Sequence, residues 1–260
     1  MERDERFFDT DQIQLREQIK HLIKEDDICA MKLSTEDAGM PFEDIRERHR
    51  LFGDLLPIQL KIGGPEARND MRMAVKIGCR SLIAPMIESP YALQNFVTAT
   101  HETLGDRTAD FIDLQINIET RKGTEDIDNI LDTSAAGQIA QITIGRHDLC
   151  CSLNKKPNHP DVTEAVKKVV ESARSYGISV SIGGRITPND AAMLTREIRP
   201  DKINTREVGF NVKDPDHSRD IVKKLLGFEI DLLKHERELY RSEDNRISRR
   251  IEKLKGRQGR

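Results

Sequence analysis

The regular spacing of short apolar runs is the feature that most constrains the fold of this 260-residue chain. Runs rich in β-branched residues end about 22 to 35 residues apart, and amphipathic stretches fill the intervals, which is the size of one strand–helix unit. Repeated units of this kind place their strands in parallel, and seven or eight of them favour a closed barrel over an open sheet. The seven predicted strands are Ile28–Leu33, Pro57–Ile62, Ser81–Ile87, Ile112–Ile118, Ile139–Ile144, Ser179–Ile182 and Asp201–Asn204.

The fold class that follows is α/β, a (β/α)8 TIM-type barrel with seven clear strands. The eighth strand is expected near Arg6–Thr10 or Val208–Val212. Helix start signals support the intervening helices, since Ser89-Pro90 and Thr187-Pro188 each combine a capping residue with a proline in the first turn. The predicted helices are Ala67–Ile77, Pro90–Thr103, Ile127–Ala135, Val162–Tyr176 and Pro188–Ile198.

The two ends of the chain differ from the middle. Asp11–Lys24 has the apolar periodicity of an N-terminal helix. Residues 228–260 begin with apolar positions at helical spacing and end almost wholly charged, which predicts an extended charged C-terminal helix, frayed at its end. We therefore divide the chain into a barrel catalytic domain, residues 1–227, and a helical extension, residues 228–260, that serves oligomerisation.

The composition indicates which partners and which cellular compartment to expect. Charged residues make up 33% of the chain and the net charge is −3, which gives no electrostatic reason to expect nucleic-acid or membrane binding. The N-terminus carries charges of both signs and lacks the apolar stretch of a signal peptide. The four cysteines form no CxxC pair, as is usual for reduced thiols in a cytosolic protein. We expect a cytoplasmic protein that binds neither nucleic acid nor membrane.

Charged residues follow nearly every predicted strand. In a parallel barrel the active site lies at the carboxyl ends of the strands, so charges there indicate function. Gathering them in a partly desolvated mouth costs several kcal/mol per ion unless partners or ligands offset it. Mixed carboxylates and cations predict a metal with an anionic substrate. These residues are Lys32, Glu36, Lys61, Glu66, Glu88, Glu119, Arg121, Arg146, Asp148, Arg185 and Arg206.

Two carboxylates follow consecutive strands. Glu119 ends Ile116-Asn117-Ile118-Glu119, and Asp148 lies in Ile144-Gly145-Arg146-His147-Asp148. Carboxylates on adjacent strand ends, completed by water and substrate oxygens, commonly hold Mg²⁺, and Mn²⁺ or Co²⁺ would accept the same ligands. The alternative is that each carboxylate forms an ion pair with Arg121 or Arg146. Spacing alone leaves both interpretations open.

Four stretches carry a resemblance to a known family. They are Lys61–Ala67, Ile83–Ser89, Ile118–Thr120 and Ile144–Leu153, and their order and spacing resemble the HpcH/HpaI aldolase and citrate lyase β-subunit family. The resemblance implies a (β/α)8 barrel that assembles as a homo-oligomer, with Glu119 and Asp148 binding Mg²⁺ or Mn²⁺.

The chemistry that the resemblance implies is class II, divalent-metal-dependent carbon–carbon cleavage. A 2-oxo acid such as pyruvate or oxaloacetate would react through a metal-stabilised enolate. Lys61 occupies the position where the family usually has an arginine beside the substrate carboxylate, and lysine lacks the bidentate geometry of arginine. Asn117 either faces the substrate or fills the barrel.

The chain departs from the family at the acid/base residue. Many members have a histidine in the stretch that corresponds to residues 32–39, and this chain has none there. Glu36, a metal-bound water or His147 would have to transfer the proton. Cations at the strand ends could hold a substrate carboxylate, phosphate or CoA, or form salt bridges instead. The cations predicted to bind substrate are Lys32, Lys61, Arg121, Arg146 and Arg185.

Two alternatives to a 2-oxo acid lyase remain at this stage. One is an acyl-CoA lyase of the citrate or malyl-CoA type, and the other is a non-catalytic metal-binding barrel subunit. For either enzyme we expect a small carboxylate substrate, with phosphorylated and CoA-thioester forms as variants.

Overall fold

The computed structural model describes residues 4–239 and 245–259. Its centre is a closed eight-stranded barrel in which the strands follow one another in sequence order. The predicted fold class is therefore confirmed, and each of the seven predicted strands is present. The strands are β1 (Ile28–Ser34), β2 (Ile58–Lys61), β3 (Ser81–Ala84), β4 (Asp113–Ile118), β5 (Ile139–Gly145), β6 (Ser179–Gly183), β7 (Lys202–Asn204) and β8 (Val208–Asn211).

The eighth strand differs from the expectation in its direction. β8 lies at the second of the two predicted places, and it pairs antiparallel with both β7 and β1, whereas the other neighbouring pairs are parallel. Residues 205–207 alone join β7 to β8. A parallel crossover needs a dozen or more residues, so a connection this short can only make a hairpin. The expectation of parallel strands throughout is wrong for β8.

Helices surround the barrel, and their ends match the local signals. The Ser89 hydroxyl accepts a hydrogen bond from the Ala92 amide at 3.2 Å, and Thr187 forms a capping box with Asp190. The helices are α1 (Thr10–Asp26), α2 (Phe42–Phe52), α3 (Arg68–Ile77), α4 (Pro90–Leu104), α5 (Asp106–Ala109), α6 (Arg121–Glu125), α7 (Ile127–Leu131), α8 (Arg146–Leu153), α9 (Pro160–Ser175), α10 (Pro188–Glu197), α11 (Pro215–Leu239) and α12 (Asn245–Gln258).

The strands alternate between an apolar outer face and a polar inner face. Outward residues such as Ile116, Ile142 and Ile182 are buried in the apolar core beneath the helices. Inward polar side chains bond to one another: Gln141 donates to Gln115 at 3.0 Å, and the Thr143 and Ser181 hydroxyls lie 2.8 Å apart. We call Gln115, Gln141, Thr143, Ser181, Lys202 and Asn204 the lumen network; Lys202 bonds to Gln141 and Asn204 to Ser181.

Both termini are helical in the described residues. The predicted N-terminal helix is present as α1 and packs against α11. α11 runs across the predicted boundary at residue 227, and the expected frayed end is instead α12, where Ile251 and Leu254 are buried. In the sequence, the many charged residues around these two positions hid their helical spacing. The division into two domains and the role in oligomerisation remain predictions.

Among the described residues, no helix combines the length and the apolar character needed to span a bilayer.

Candidate active site at the barrel mouth

The Glu119 carboxylate is buried at the carboxyl end of β4 and is held on both oxygens. Oε1 accepts a hydrogen bond from the Met86 amide at 3.1 Å, and Oε2 accepts one from the Asn117 side chain at 3.0 Å. Its side chain is only 1% exposed, and Lys61 Nζ lies 3.4 Å from Oε1. The alternation of β4 directs Asn117 and Glu119 to the same side, which is why a residue two positions earlier can orient the carboxylate.

Lys61 joins Glu119 to a second acid. Its Nζ lies 2.9 Å from Oε2 of Glu36, in the loop that follows β1. Burial by itself would lower the pKa of Lys61, but Glu119 and Glu36 outweigh it and raise the pKa above the ordinary value. The structure thus brings together three of the predicted site residues, two carboxylates on either side of one lysine that stays charged at neutral pH.

Lys32 lies beside this group at the end of β1. Burial lowers its pKa below that of an ordinary lysine, and the neighbouring cations Lys61 and Arg206 act in the same direction, while Asp37 and Glu119 oppose them. Its side chain, unlike that of Lys61, has no ion-pair partner among the residues that the structure describes. A lysine side chain without an ion pair at a barrel mouth is suited to an anionic ligand.

Two residues that the sequence analysis did not single out shape the first loop. The Ser34 hydroxyl accepts hydrogen bonds from the amides of Glu36 and Asp37, each at 3.1 Å. Asp70 of α3 accepts bonds from the Thr35 hydroxyl at 2.5 Å and the Gly63 amide at 2.8 Å, so it joins the loops after β1 and β2. A serine two residues before an acid is a turn signal that could have indicated Ser34, whereas nothing local to α3 marks Asp70.

Asp148 follows the neighbouring strand, β5, in the first turn of α8. The residue before α8 is Gly145, and a Cβ there would lie 2.4 Å from Oε2 of Glu119, so the carboxylate rests directly on this glycine. Asp148 is half-buried and, within the described ranges, no hydrogen bond or ion pair occupies its carboxylate. A carboxylate in a first turn is favoured by the helix dipole.

His147 and Arg185 are neighbours at the rim. A Cβ on Gly184, whose φ is +97°, would lie 2.5 Å from the His147 amide, so the loop after β6 packs tightly on the start of α8. Burial lowers the pKa of His147, and Arg185 and Lys253 lower it further against the opposing effect of Asp148. The ring is therefore neutral at neutral pH. Arg185 is exposed, with a left-handed φ of +55°.

Arg146 and Arg121 have partners elsewhere. Arg146 is 3% exposed and forms an ion pair with Asp190 of α10 at 2.8 Å. Burial by itself would raise the pKa of Asp190, but Arg146 outweighs it and lowers the pKa below the usual range. The Arg121 backbone amide donates to the Ser152 hydroxyl at 2.9 Å, and its guanidinium donates to the Leu153 carbonyl at 3.5 Å. The alternative in which Glu119 pairs with either arginine is wrong, because its cationic partner is Lys61.

A second charged group, missed in the sequence, is buried where α11 and α12 meet the loop between β7 and β8. Arg48 contacts Glu207 at 3.3 Å and Glu236 at 2.6 Å, and Arg250 of α12 also bonds to Glu207. Glu229 accepts from the Thr205 hydroxyl and from the Arg206 and Glu207 amides. We call Arg48, Glu207, Glu229, Glu236 and Arg250 the ionic cluster.

The residues at the mouth fit a divalent metal by their donor chemistry. Glu119 and Asp148 supply carboxylate oxygens, and Oδ1 of Asn117 is a buried acceptor without a hydrogen-bond partner. Among the described residues, one set of at least three acid, histidine or cysteine side chains has its ligand atoms within 4.8 Å of one another. This set lies away from the mouth and consists of Asp9, Asp11 and His235. A metal at the mouth would thus depend on substrate and water oxygens to complete its coordination.

Solved structures share the fold at low identity. An HpcH/HpaI aldolase from Desulfitobacterium hafniense is 20% identical, with a TM-score of 0.60 over 74% of this chain and 82% of the other. An HpcH/HpaI aldolase/citrate lyase family protein from Burkholderia cenocepacia is also 20% identical, with a TM-score of 0.57 over 75% and 82%. The citrate synthase SbnG is 15% identical, with a TM-score of 0.57 over 85% and 98%.

Sequence comparison assigns the family. No curated protein matches the chain. The sequence profile described as HpcH/HpaI aldolase/citrate lyase matches residues 63–214, more than half of the chain and the segment from the end of β2 to the start of α11. This chain belongs to the HpcH/HpaI aldolase/citrate lyase family.

Proposed function

We propose that this protein is a divalent-metal-dependent carbon–carbon lyase or aldolase that acts on a 2-oxo acid at the barrel mouth. The observation that carries the proposal is Glu119, buried and held by Lys61, Asn117 and the Met86 amide. Burying a charged group costs several kcal/mol before its partners are counted. A carboxylate held this firmly at the face where barrels of this kind place their active sites supports a binding role.

Glu119 and Asp148 would hold Mg²⁺ or Mn²⁺, with Co²⁺ as a further candidate. When bound, such an ion supplies a Lewis acid that polarises the substrate carbonyl and favours the developing enolate charge. Asn117 fixes the orientation of the Glu119 carboxylate through its amide, and Gly145 leaves the space that this carboxylate occupies. The side chains thus keep one ligand in place before substrate arrives.

Lys61 would orient the carboxylate of the substrate. Its two acidic neighbours keep it protonated, so it presents a positive charge beside Glu119 over the neutral pH range. Lysine is a point charge, so it directs the substrate by attraction more than by paired hydrogen bonds. Lys32, whose amine has no ion-pair partner among the described residues, would supply a second contact for an anionic substrate.

We assign proton transfer to Glu36. Its carboxylate contacts Lys61, which contacts Glu119, so all three lie in one group. Glu36 is also the most exposed of the three, its side chain being 28% exposed, which lets it reach substrate and solvent. His147 is the second candidate, because its lowered pKa leaves a neutral ring that can accept a proton.

Solvent exchange of pyruvate protons tests the proposal. Wild-type protein with Mg²⁺ or Mn²⁺ in D₂O is expected to exchange the methyl protons of pyruvate, followed by NMR. Glu119→Gln and Asp148→Asn should each slow exchange by about 10²–10³-fold, the usual loss on removing a group that stabilises transition-state charge. Glu171→Gln and Asp132→Asn are matched controls, because both residues are exposed on the surface, and they should exchange like the wild type.

A second readout separates metal binding from chemistry. Mn²⁺ affinity, measured by electron paramagnetic resonance, should fall in Glu119→Gln and Asp148→Asn. It should be unchanged in the two surface controls. Absence of metal-dependent exchange with pyruvate and oxaloacetate would refute the 2-oxo acid proposal. Tight binding of a CoA thioester in that case would identify an acyl-CoA lyase instead.

A further inference from the structure

Two helices from opposite ends of the chain, α1 and α11, pack against each other outside the barrel. At one end of this pair, Lys224 Nζ lies 2.8 Å from Oδ1 of Asp26, the last residue of α1. About three turns further along α11, His235 approaches Asp11, which lies in the first turn of α1. The two helices therefore run antiparallel, and the second contact lies at the end opposite the ion pair.

His235 is buried at this second contact without a hydrogen bond. Its side chain is only 7% exposed, and Nδ1 lies 4.0 Å from Oδ2 of Asp11, beyond hydrogen-bond distance. Nε2 is buried without a partner as well. Among the described residues, neither ring nitrogen is therefore satisfied. Buried polar groups almost always have a partner, so this imidazole indicates a ligand of its own.

Two carboxylates converge on the imidazole. One ligand atom from each of Asp9, Asp11 and His235 lies within 4.8 Å of the other two. Asp9 is the N-cap of α1, and its Oδ1 accepts a hydrogen bond from the Gln12 amide at 2.8 Å. In the described part of the chain, no lysine or arginine nitrogen lies within 4.0 Å of either carboxylate. Helix capping thus uses one oxygen of Asp9 and explains neither Asp11 nor the buried histidine.

The spacing and the charge suit a small divalent cation. Donor atoms bound tetrahedrally at about 2.0–2.2 Å from Zn²⁺ stand roughly 3.3–3.5 Å apart, so the 4.0 Å between Nδ1 and Oδ2 has to shorten only slightly. The Asp11 side chain is 62% exposed and free to make this adjustment. Two carboxylates balance the charge of the ion. Arg50 is close enough for Asp9 to raise its pKa, but its guanidinium binds Glu47.

The nitrogen donor distinguishes this cluster from the candidate metal site at the mouth. Glu119 and Asp148 offer oxygen alone, which suits Mg²⁺ or Mn²⁺. An imidazole beside two carboxylates favours Zn²⁺, whereas Mg²⁺ prefers oxygen ligands and loses its water reluctantly. The two places should therefore differ in metal selectivity.

We propose that Asp9, Asp11 and His235 form a structural Zn²⁺ site that holds α1 against α11, with a water molecule as the fourth ligand. The site lies outside the barrel and does not depend on the chemistry proposed for the mouth. Its ligands come from opposite ends of the chain, so the ion closes a loop that contains the whole barrel. Such closure stabilises the folded state.

Zinc titration of the full chain by calorimetry tests the site. We expect zinc affinity to fall at least tenfold in His235→Gln, Asp11→Asn and Asp9→Asn, since each variant loses one ligand. Asparagine is also a good N-cap, so Asp9→Asn keeps the start of α1 intact. His21→Gln is the matched control, because His21 is exposed on α1, and it should bind zinc like the wild type.

Two further variants separate liganding from helix packing and from the mouth. Asp26→Asn removes the ion pair at the other end of the two helices and should keep the zinc affinity of the wild type. Glu119→Gln should also keep it. Loss of zinc binding in Glu119→Gln but not in His235→Gln would assign the ion to the mouth and overturn the inference.

X-ray absorption at the zinc edge identifies the donors. It should show nitrogen and oxygen at about 2.0–2.2 Å, whereas sulfur at about 2.3 Å would assign the ion to a cysteine and overturn the inference. Zinc at about 100 times its Kd should raise the Tm of the wild type by about 5–10 °C. An equal shift in His235→Gln and Asp9→Asn would also overturn it. Metal-free thermal unfolding shows that each variant folds, and Asp9, being exposed, provides a test that does not disturb the core.

Discussion

The lumen network and the ionic cluster bury polar groups in opposite ways. In the lumen, uncharged side chains satisfy one another across neighbouring strands, as Thr143 and Ser181 do at 2.8 Å, and Lys202 is the one cation among the six residues. In the ionic cluster, full charges from α2, α11, α12 and the β7–β8 loop meet, as Arg48 and Glu236 do at 2.6 Å. The first fills a barrel, whereas the second attaches helices to it.

The difference has a physical consequence. A neutral hydrogen bond contributes about 1 kcal/mol net, so the lumen gains its rigidity from many modest bonds. A buried ion pair has a large desolvation cost, and removal of one partner leaves an uncompensated charge. We therefore expect the lumen to tolerate the loss of one member better than the ionic cluster does.

The largest effect is expected at Arg48. Arg48→Met removes the guanidinium shared by Glu207 and Glu236 and should lower the free energy of unfolding by about 3–5 kcal/mol. Urea denaturation measures it. Arg46→Met is the control, because Arg46 is exposed on the same helix, and the change there should stay within about 0.5 kcal/mol. Equal stability of the two variants would show that the ionic cluster does not hold the helices.

A smaller effect is expected in the lumen. Ser181→Ala removes the partner of the Thr143 hydroxyl and of the Asn204 amide, and should cost about 1–3 kcal/mol in urea denaturation. The control, Ser175→Ala, removes a single surface hydrogen bond to the Ser172 carbonyl. A loss in Ser181→Ala as large as that in Arg48→Met would remove the distinction between the two regions.

The smallest effect, on the pH dependence of stability, extends the contrast between neutral and charged pairs to Asp190, which pairs with Arg146 outside both regions. Burial would raise the pKa of Asp190, but Arg146 lowers it below its value of about 3.9 in the unfolded chain. The stabilisation from this carboxylate is thus complete above that unfolded value and is lost as pH falls toward the lower folded-state pKa. Unfolding free energies measured from neutral pH down through this range should decline less steeply in Asp190→Asn than in the wild type.

Ser181→Ala is the reference for that comparison, since a neutral hydrogen-bond network does not titrate. It should keep the pH slope of the wild type at a lower overall stability. The same slope in Asp190→Asn and the wild type would contradict the assignment of the ion pair as the acid-sensitive element.

Part of the candidate site could be predicted because the carboxyl ends of parallel strands meet at one face. That rule placed Glu36, Lys61 and Glu119 at the mouth, and the structure brings them into contact. The same rule could not show which of the charged residues at the strand ends face the mouth and which bind a partner elsewhere. Arg146 follows β5 immediately, but it binds Asp190, 44 residues later by numbering, because α10 docks there.

The order of apolar runs and helix signals in the sequence was sufficient to predict the barrel, its seven strands and the strand-end acids, since periodicity and capping are local properties of the chain. The reversed direction of β8, the partners of the arginines and the position of α12 were decided only by tertiary structure. They depend on which distant surfaces pack together, and no local pattern records the desolvation and pairing of charges that this packing brings about.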